Sequence, residues 1–204
     1  MSPFTMPVIL LAAGQSSRMR GRDKLLEKVD GMPLLRRQAM MLRSVTTGPV
    51  IVALPAPTHP RYEALTGLDF AALPVPDAAE GMNASLRRAF AALPADAPCA
   101  MLLLADLPDL TAADLCQVAA AVDLTTSAQI WRGATALGKA GHPIVFKADL
   151  FALFADLVGD GGGREIVQAA QGNVVLVPLP DSHARRDLDT LEDWAAWRAE
   201  RGAT

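Results

Sequence analysis

The amino-acid sequence predicts an α/β fold with three layers, in which a mostly parallel central sheet carries helices on both faces. Strand-like and helix-like segments alternate along the 204 residues, which is the pattern of repeated strand–helix–strand units. The strand-like segments are mainly continuous apolar runs, as strands are when both of their faces are buried in a parallel sheet. Crossovers through helices of this length are right-handed and join parallel strands.

Seven segments are predicted as strands. The first contains only apolar residues and shows no period of two, which favours a strand that is buried on both faces. The fourth, Cys99–Ala105, is the most apolar of the seven, so we expect it at the centre of the sheet. In chain order the predicted strands are Pro7–Ala12, Pro49–Leu54, Phe70–Val75, Cys99–Ala105, Gln129–Arg132, Pro143–Phe146 and Val174–Val177.

Seven segments are predicted as helices. Apolar residues recur at helical spacing after Pro33, and proline is favoured at the first helical position. The Thr111 hydroxyl can cap a helix, with Asp114 as its partner in a partial capping box. A helix that begins at Glu80 has its apolar face at Met82, Leu86, Phe90 and Leu93. The other predicted helices are Pro60–Leu65, Ala112–Val122, Ala148–Leu157, Arg164–Ala170 and Leu191–Glu200.

The composition excludes several classes of protein. Hydrophobic residues make up 51% of the chain and charged residues 20%, which is too apolar for a disordered protein. The net charge of −3 argues against a nucleic-acid partner, because such proteins carry a basic surface. The apolar run Val8–Ala13 is too short to cross a membrane and lacks the basic segment of a signal peptide. We therefore expect neither nucleic-acid nor membrane binding.

The two cysteines, Cys99 and Cys116, have no further Cys or His nearby at zinc-binding spacing. Two reduced, buried thiols are typical of a cytoplasmic protein, so we expect that location. The chain contains no internal repeat, low-complexity tract or linker. We therefore expect residues 1–204 to form a single domain.

The loop after the first predicted strand has the residues of a phosphate-binding site. Ligands of open α/β sheets bind at the carboxyl ends of the strands, where this loop begins. It reads LAAGQSSRMRGRDK from Leu11 to Lys24 and offers cationic side chains, hydroxyls and flexible glycine. It matches neither the P-loop signature nor the dinucleotide-binding glycine pattern, which disfavours a Rossmann oxidoreductase. The alternative reading is a solvated cationic loop.

This segment resembles the L-A-(A/G)-G-x-S-x-R-M-G-x-x-K signature of the MobA-like NTP transferases, although Arg20 replaces the usual glycine and Gly21 follows it. The resemblance implies the nucleotide-diphospho-sugar transferase fold, which is Rossmann-like, and a nucleotidyltransferase activity that depends on Mg²⁺. It implies catalytic roles for Arg18, Lys24 and Asp106. The residues of the loop that it implies in nucleotide binding are Leu11, Ala12, Ala13, Gly14, Ser16, Arg18 and Lys24.

Two acidic segments are candidates for binding the metal. Asp106 directly follows the most apolar strand, where a carboxylate is costly unless it is paired or binds a cation such as Mg²⁺. Its alternative role is to cap the turn through Pro108. The segment Asp187–Asp193 resembles the family's D-x-D-T-P-E-D motif and implies Asp189, with Asp187 in reserve, as the second metal ligand. Helix capping is the alternative there.

Three further segments resemble parts of the family's substrate site. The segment 79–85 implies contacts of Gly81, Asn83 and Ser85 with the base or ribose, and its alternative is an ordinary helix start. The turn at His142 resembles the family's substrate-side G-x-P turn. The loop 159–164 resembles the G-D-x-G-(A/G)-R loop, which implies that Arg164 binds the acceptor's phosphate. For His142 the alternative is a purely structural role, and for the loop 159–164 it is a flexible surface turn.

The resemblance implies transfer of CMP from CTP to the phosphate of the molybdopterin cofactor, with release of pyrophosphate. The Ala-Ala-Gly form of the first motif favours cytidine, since the guanylyl enzymes have Ala-Gly-Gly. The implied partners are CTP or another NTP, a phosphorylated pterin-type acceptor, and a molybdoenzyme or its chaperone. The alternatives are a guanylyl or sugar-phosphate nucleotidyltransferase and a non-catalytic carrier of the cofactor.

Overall fold

The computed structural model describes residues 3–202. Within this range the strands are β1 (Val8–Leu11), β2 (Lys28–Val29), β3 (Met32–Pro33), β4 (Val50–Leu54), β5 (Ala71–Pro74), β6 (Cys99–Leu104), β7 (Ile130–Ala134), β8 (Ala140–Lys147) and β9 (Val174–Pro178). The α-helices are α1 (Leu34–Val45), α2 (Arg61–Ala64), α3 (Met82–Ala91), α4 (Ala112–Ala120), α5 (Arg164–Ala169) and α6 (Leu191–Glu200). Short 3₁₀ helices cover Ser17–Met19, Ala78–Glu80 and Ala148–Asp156.

The main sheet has seven strands in the order β5-β4-β1-β6-β8-β7-β9. Strand β1 pairs in parallel with β4 and β6, and β4 with β5. Strand β8 is antiparallel to both of its neighbours, whereas β9 is parallel to β7. All the strands except β8 therefore point the same way, and β6 is the central strand. This confirms the predicted mostly parallel sheet and the predicted place of its most apolar strand.

Helices cover both faces of this sheet, which confirms the three layers. Helices α1, α4 and α6 contribute to the buried cluster on one face, where Trp131, Trp194 and Trp197 are the largest side chains. On the other face α3 and α5 pack with Phe154 of the 3₁₀ segment. A capping box begins α4, because the Thr111 hydroxyl and the Asp114 carboxylate bond to each other's backbone N–H groups, as the sequence predicts.

Three local features differ from the sequence prediction. A small hairpin, β2–β3, was missed because two-residue strands are too short for a periodic pattern, although Asp30 and Gly31 at its turn are a hairpin signal. Segment Ala148–Asp156 forms 3₁₀ turns instead of an α-helix, and no side chain caps its first turn. Met82, expected on the buried face of its helix, is 38% exposed.

The register of the central strands positions the site. Leu11 at the end of β1 is paired with Leu104 at the end of β6, so the loops that follow these strands begin side by side. Both loops start at the carboxyl edge of the sheet, where ligands of open α/β sheets bind. The residues after Leu11 and the residues after Leu104 therefore meet at this edge.

Within residues 3–202 the structure contains neither a disulfide bond nor a membrane-spanning helix. Cys99 and Cys116 are free thiols, the first buried and the second partly buried. In the same range, the length and hydropathy of every helix fall short of what a bilayer crossing requires.

Candidate active site

A cavity of about 290 Å³ lies at the carboxyl edge of the sheet, beyond the ends of β1 and β6. One wall is the loop after β1, and another is the start of α3 with the 3₁₀ turn before it. Its lining consists of Leu11, Ala12, Ala13, Gly14, Gln15, Ser16, Ser17, Arg18, Lys24, Leu25, Ala78, Ala79, Gly81, Met82, Ser85, Leu104, Asp106, Asp160 and Asp189. The structure thus brings together every residue that the sequence analysis selected from the loop after β1.

The backbone of this loop presents free donors along the cavity. The N–H groups of residues 13–17 donate to no acceptor within the described part of the chain, whereas the N–H of Ala12 still bonds to Ala53 of β4. Ser16 has left-handed backbone torsions with φ of 53°, which bends the loop. Consecutive unpaired N–H groups in a bent loop form a concave site for an anion such as phosphate.

Lys24 lies between two carboxylates in the cavity. Its Nζ donates to Asp106 Oδ2 at 2.5 Å and to Asp189 Oδ1 at 2.6 Å, and all three side chains are less than one-fifth exposed. Burial by itself lowers the pKa of the Lys24 ammonium, but Asp106 and Asp189 outweigh it and raise that pKa above its ordinary value. The lysine therefore stays charged and holds the two acids together. The sequence analysis selected Asp106 and Asp189 from two separate motifs, and the fold brings both carboxylates to the same ammonium.

Asp106 retains an oxygen with no partner. Its Oδ1 atom is buried and accepts no hydrogen bond from any residue in the range 3–202. Its side chain makes no capping bond to the turn at Pro108, so the capping alternative is not supported. An unpartnered carboxylate oxygen beside a second carboxylate suits a hard cation such as Mg²⁺, which takes one or two carboxylates together with phosphate oxygens and water.

The described residues supply only part of such a metal site. No group of three or more His, Cys, Asp and Glu side chains within residues 3–202 could hold a metal ion by itself. The remaining ligands of Mg²⁺ would have to be phosphate or water oxygens, as is usual for nucleotide sites. Asp106 and Asp189 therefore fit the ion when a nucleotide accompanies it.

The motif around Asp189 serves two purposes. Thr190 and Asp193 form the capping box of α6, which leaves the Asp189 side chain free to face the cavity. There Asp189 Oδ2 also accepts from Arg18 Nη1 at 2.7 Å, while the Arg18 side chain remains 69% exposed. Asp187 does not line the cavity. Of the two candidates, the geometry therefore favours Asp189 for the second carboxylate.

The start of α3 corrects one sequence prediction. Gly81, with φ of 118°, and Ser85 line the cavity as expected. Asn83 does not: it is fully buried, its Nδ2 donates to the carbonyl of Val158 at 2.7 Å, and its Oδ1 accepts from the N–H of Gly163 at 3.2 Å. Both ends of its amide are occupied, so Asn83 fastens the loop 158–163 to α3 and does not contact the cavity.

The two predicted acceptor contacts lie outside the cavity lining. His142 Nδ1 faces the carbonyl of Leu102 at 3.4 Å, on the β8 side of the central strand. Arg164 is exposed at the first position of α5. The loop before α5 nevertheless reaches the cavity through Asp160, whose Oδ1 accepts from the N–H of Met82 at 2.7 Å.

Residues 8–174 match the model of a family described as the MobA-like NTP transferase domain. The chain belongs to this family. A curated relative, the molybdenum cofactor guanylyltransferase of Cupriavidus metallidurans, is 32% identical over 203 residues, which are 96% of this chain and 95% of the relative. Membership makes the protein a nucleotidyltransferase and confirms the resemblance that the first motif carries.

Two of the similar solved structures show that the fold is shared. Rv0371c from Mycobacterium tuberculosis H37Rv is 27% identical with a TM-score of 0.77, and the match covers 95% of this chain and 97% of that one. A CMP:2-keto-3-deoxy-manno-octonic acid synthetase complexed with CTP is 14% identical with a TM-score of 0.72, over 97% and 99% of the two chains. At that identity the likeness shows the fold alone, which is the predicted nucleotide-diphospho-sugar transferase fold.

In this MobA-like protein Ser16 lines the cavity, but its hydroxyl is bonded to other residues of the protein. The single hydrogen of its hydroxyl is donated to Asp23 Oδ1 at 3.2 Å, so it is not free for a phosphate. The same hydroxyl accepts from Arg61 Nη2 and from the N–H of Lys24. The Ser16 hydroxyl therefore stabilises the loop, while the Ser16 backbone N–H is one of the donors along the cavity.

The sequence analysis missed Asp23 and Arg61, which form an ion pair behind the loop. Asp23 is part of the first motif, but the sequence analysis assigned it no role. Arg61 follows Pro60 at the start of a four-residue helix, and its side chain is only 1% exposed. No periodicity signals that a charged residue of so short a helix is buried, so only the tertiary structure reveals it.

We expect stability in acid to depend on His142. Burial, together with the nearby Arg132, lowers the pKa of His142 to about 4. Between pH 6.5 and 4 the unfolded chain therefore binds a proton that the folded chain does not, which lowers the free energy of unfolding by up to about 3 kcal/mol at pH 4. Urea titrations of the wild type and His142→Gln should diverge in this window, with the variant losing less stability. Parallel pH profiles would contradict the expectation.

Proposed function

We propose that residues 1–204 act as one Mg²⁺-dependent cytidylyltransferase domain, which transfers CMP from CTP to the phosphate of the molybdopterin cofactor and releases pyrophosphate. The observation that carries the proposal is the position of Lys24 between Asp106 and Asp189, beside the free N–H groups of residues 13–17. Anion donors and paired carboxylates thus face one cavity. A metal–triphosphate complex needs both.

The chain's own groups account for binding and charge neutralisation. The N–H groups of residues 13–17 and the Lys24 ammonium hold the triphosphate, for which Lys24 exchanges a carboxylate partner. Arg18, whose side chain is largely exposed, turns from Asp189 towards the departing pyrophosphate. When bound at Asp106 and Asp189, Mg²⁺ supplies Lewis-acid stabilisation of phosphate charge.

The reaction needs no nucleophilic side chain. An oxygen of the acceptor phosphate attacks the α-phosphorus of CTP, the bond to the bridging oxygen breaks, and pyrophosphate departs with that electron pair. The acceptor phosphate is already ionised at neutral pH, so no general base has to remove a proton. Positioning and electrostatic stabilisation are sufficient for such a transfer.

Two observations bear on the base. The Ala12-Ala13-Gly14 sequence supports cytidine, since the guanylyl enzymes carry Ala-Gly-Gly at this point. The curated relative named molybdenum cofactor guanylyltransferase supports GTP as the second candidate. Both readings keep the same acceptor class, a phosphorylated pterin cofactor, which a molybdoenzyme or its chaperone would receive as the finished dinucleotide.

We expect CTP with Mg²⁺ to raise the melting temperature more than GTP, ATP or UTP does. A ligand at 100 times its dissociation constant stabilises the folded state by about 2.7 kcal/mol. For a chain of this size, each kcal/mol corresponds to roughly 2–4 °C, which predicts a shift of about 5–11 °C. Differential scanning fluorimetry with each nucleotide measures it, and pyrophosphate release with isolated cofactor tests turnover. Activity with GTP alone would make GTP, and not CTP, the nucleotide substrate. Inactivity with every NTP would overturn the proposal.

A further inference from the structure

Arg61 makes an unusually complete set of hydrogen bonds to the loop after β1. Its Nε and Nη2 atoms donate to Asp23 Oδ2 and Oδ1 at 2.8 and 2.7 Å, which is a bidentate ion pair. Its Nη1 donates to the carbonyl of Ala12 at 2.7 Å, and Nη2 also reaches Ser16 Oγ at 3.1 Å. One buried guanidinium therefore contacts the loop at its beginning, its middle and its end.

This network determines where the cavity's donors point. The Ser16 hydroxyl, at the left-handed bend of the loop, joins Arg61, Asp23 and the N–H of Lys24. Left-handed torsions are unfavourable for a residue with a side chain, so this bend needs such bonds to persist. Ala12 precedes the free N–H groups of residues 13–17, and Asp23 precedes Lys24. Both sets of phosphate donors are thus anchored to the same guanidinium.

The pair is electrically suited to a permanent structural role. Burial raises the pKa of Asp23, but the hydrogen bonds and charge of Arg61 outweigh it, so the pKa of that carboxyl lies below its ordinary value. Arg61 itself does not line the cavity, and neither does Asp23. Since neither side chain lines the cavity, we expect an effect of either residue on the reaction to pass through the loop.

We infer that Asp23 and Arg61 are positioning residues, which hold the loop 12–24 in the shape that binds the triphosphate. The inference rests on the proposed function only in taking the loop as the triphosphate site, and it is independent of the base and of the acceptor. Loss of the pair is expected to let the N–H groups of residues 13–17 and the Lys24 ammonium diverge.

The test compares Asp23→Asn and Arg61→Lys with the wild type. We expect the KM for NTP, and the dissociation constant of Mg²⁺-pyrophosphate by calorimetry, to rise about 10- to 100-fold, because small misplacements of binding groups have effects of this size. We expect kcat to change less than the KM. Arg61→Lys should not rescue binding, since an ammonium cannot make the bidentate contact. Asp114→Asn is the matched control, as it alters a buried, hydrogen-bonded aspartate away from the cavity.

Ser16→Ala provides a milder variant in case the ion-pair variants fail to fold. It removes the central hydroxyl without leaving a buried charge, and we expect a several-fold rise in the same two constants, with Ser44→Ala on helix α1 as its control. Unchanged pyrophosphate binding in folded Asp23→Asn or, if the ion-pair variants do not fold, in Ser16→Ala would overturn the inference. Weakened pyrophosphate binding in these variants would uphold the inference even if the wild type showed no cytidylyl transfer. That second result would overturn the proposed function alone.

Discussion

Asp106→Asn is expected to slow pyrophosphate release by about 10²–10³-fold, because under the proposed function Asp106 would hold the metal that stabilises the charge of the reacting phosphates. The substitution preserves the size of the side chain at the end of the central strand. It replaces the carboxylate by a neutral amide, which binds Mg²⁺ and the Lys24 ammonium more weakly because it carries no negative charge. Steady-state assays of pyrophosphate release across Mg²⁺ concentrations would measure the loss.

Asp109→Asn is the matched control in the same loop. Asp109 accepts a hydrogen bond from Trp197 Nε1 at 2.8 Å and lies outside the cavity, so this variant should keep its turnover.

Asp106→Ala further separates an enzyme from a non-catalytic carrier of the cofactor. An enzyme loses turnover, whereas a carrier still delivers cofactor to a molybdoenzyme. Wild-type turnover in Asp106→Asn would contradict the assigned role.

The second large effect is expected for Lys24→Met, which keeps the length of the side chain and removes its charge. We expect turnover to fall by about 10²-fold or more, because the triphosphate loses a buried cation. The same change leaves Asp106 and Asp189 without their shared ammonium, so Mn²⁺ should bind the nucleotide-free variant more tightly than the wild type. Pyrophosphate release and calorimetry with Mn²⁺ alone would measure these two effects.

Lys28→Met is the control for Lys24→Met. Lys28 lies four residues further along the chain with an exposed side chain, in the small hairpin outside the cavity. It should behave as the wild type in both assays. If Lys24→Met keeps wild-type turnover and wild-type affinity for Mn²⁺, the assigned role of the Lys24 charge in the reaction would be wrong.

Several features could be predicted because they depend on local sequence. Continuous apolar runs identify strands that are buried on both faces, and the most apolar of them, Cys99–Leu104, is the central strand. The capping residues Thr111 and Asp114 mark the start of a helix with their own side chains. The first motif pointed to Lys24, and the position of Asp106 after a buried strand pointed to a paired carboxylate.

Other features required the folded chain. Asn83 and Ser16 have suitable side chains for binding a nucleotide, but neighbours distant in sequence occupy their hydrogen-bonding groups. Asp189 belongs to a motif that predicts both helix capping and metal binding, and only the structure shows Thr190 capping the helix while Asp189 faces Lys24. Such outcomes depend on which partners are available, which local sequence does not state.

The sequence by itself therefore determined the layered α/β architecture, the family and the two chemical halves of the candidate site, which are the cationic loop after β1 and the carboxylates. These features can be identified from the types and the spacing of residues that are close together in the chain. The tertiary structure alone decided that Lys24 joins carboxylates 82 and 165 positions away, and that Arg61 holds the loop from behind. These contacts are long-range, and they arise because parallel strands bring distant loops to one edge of the sheet.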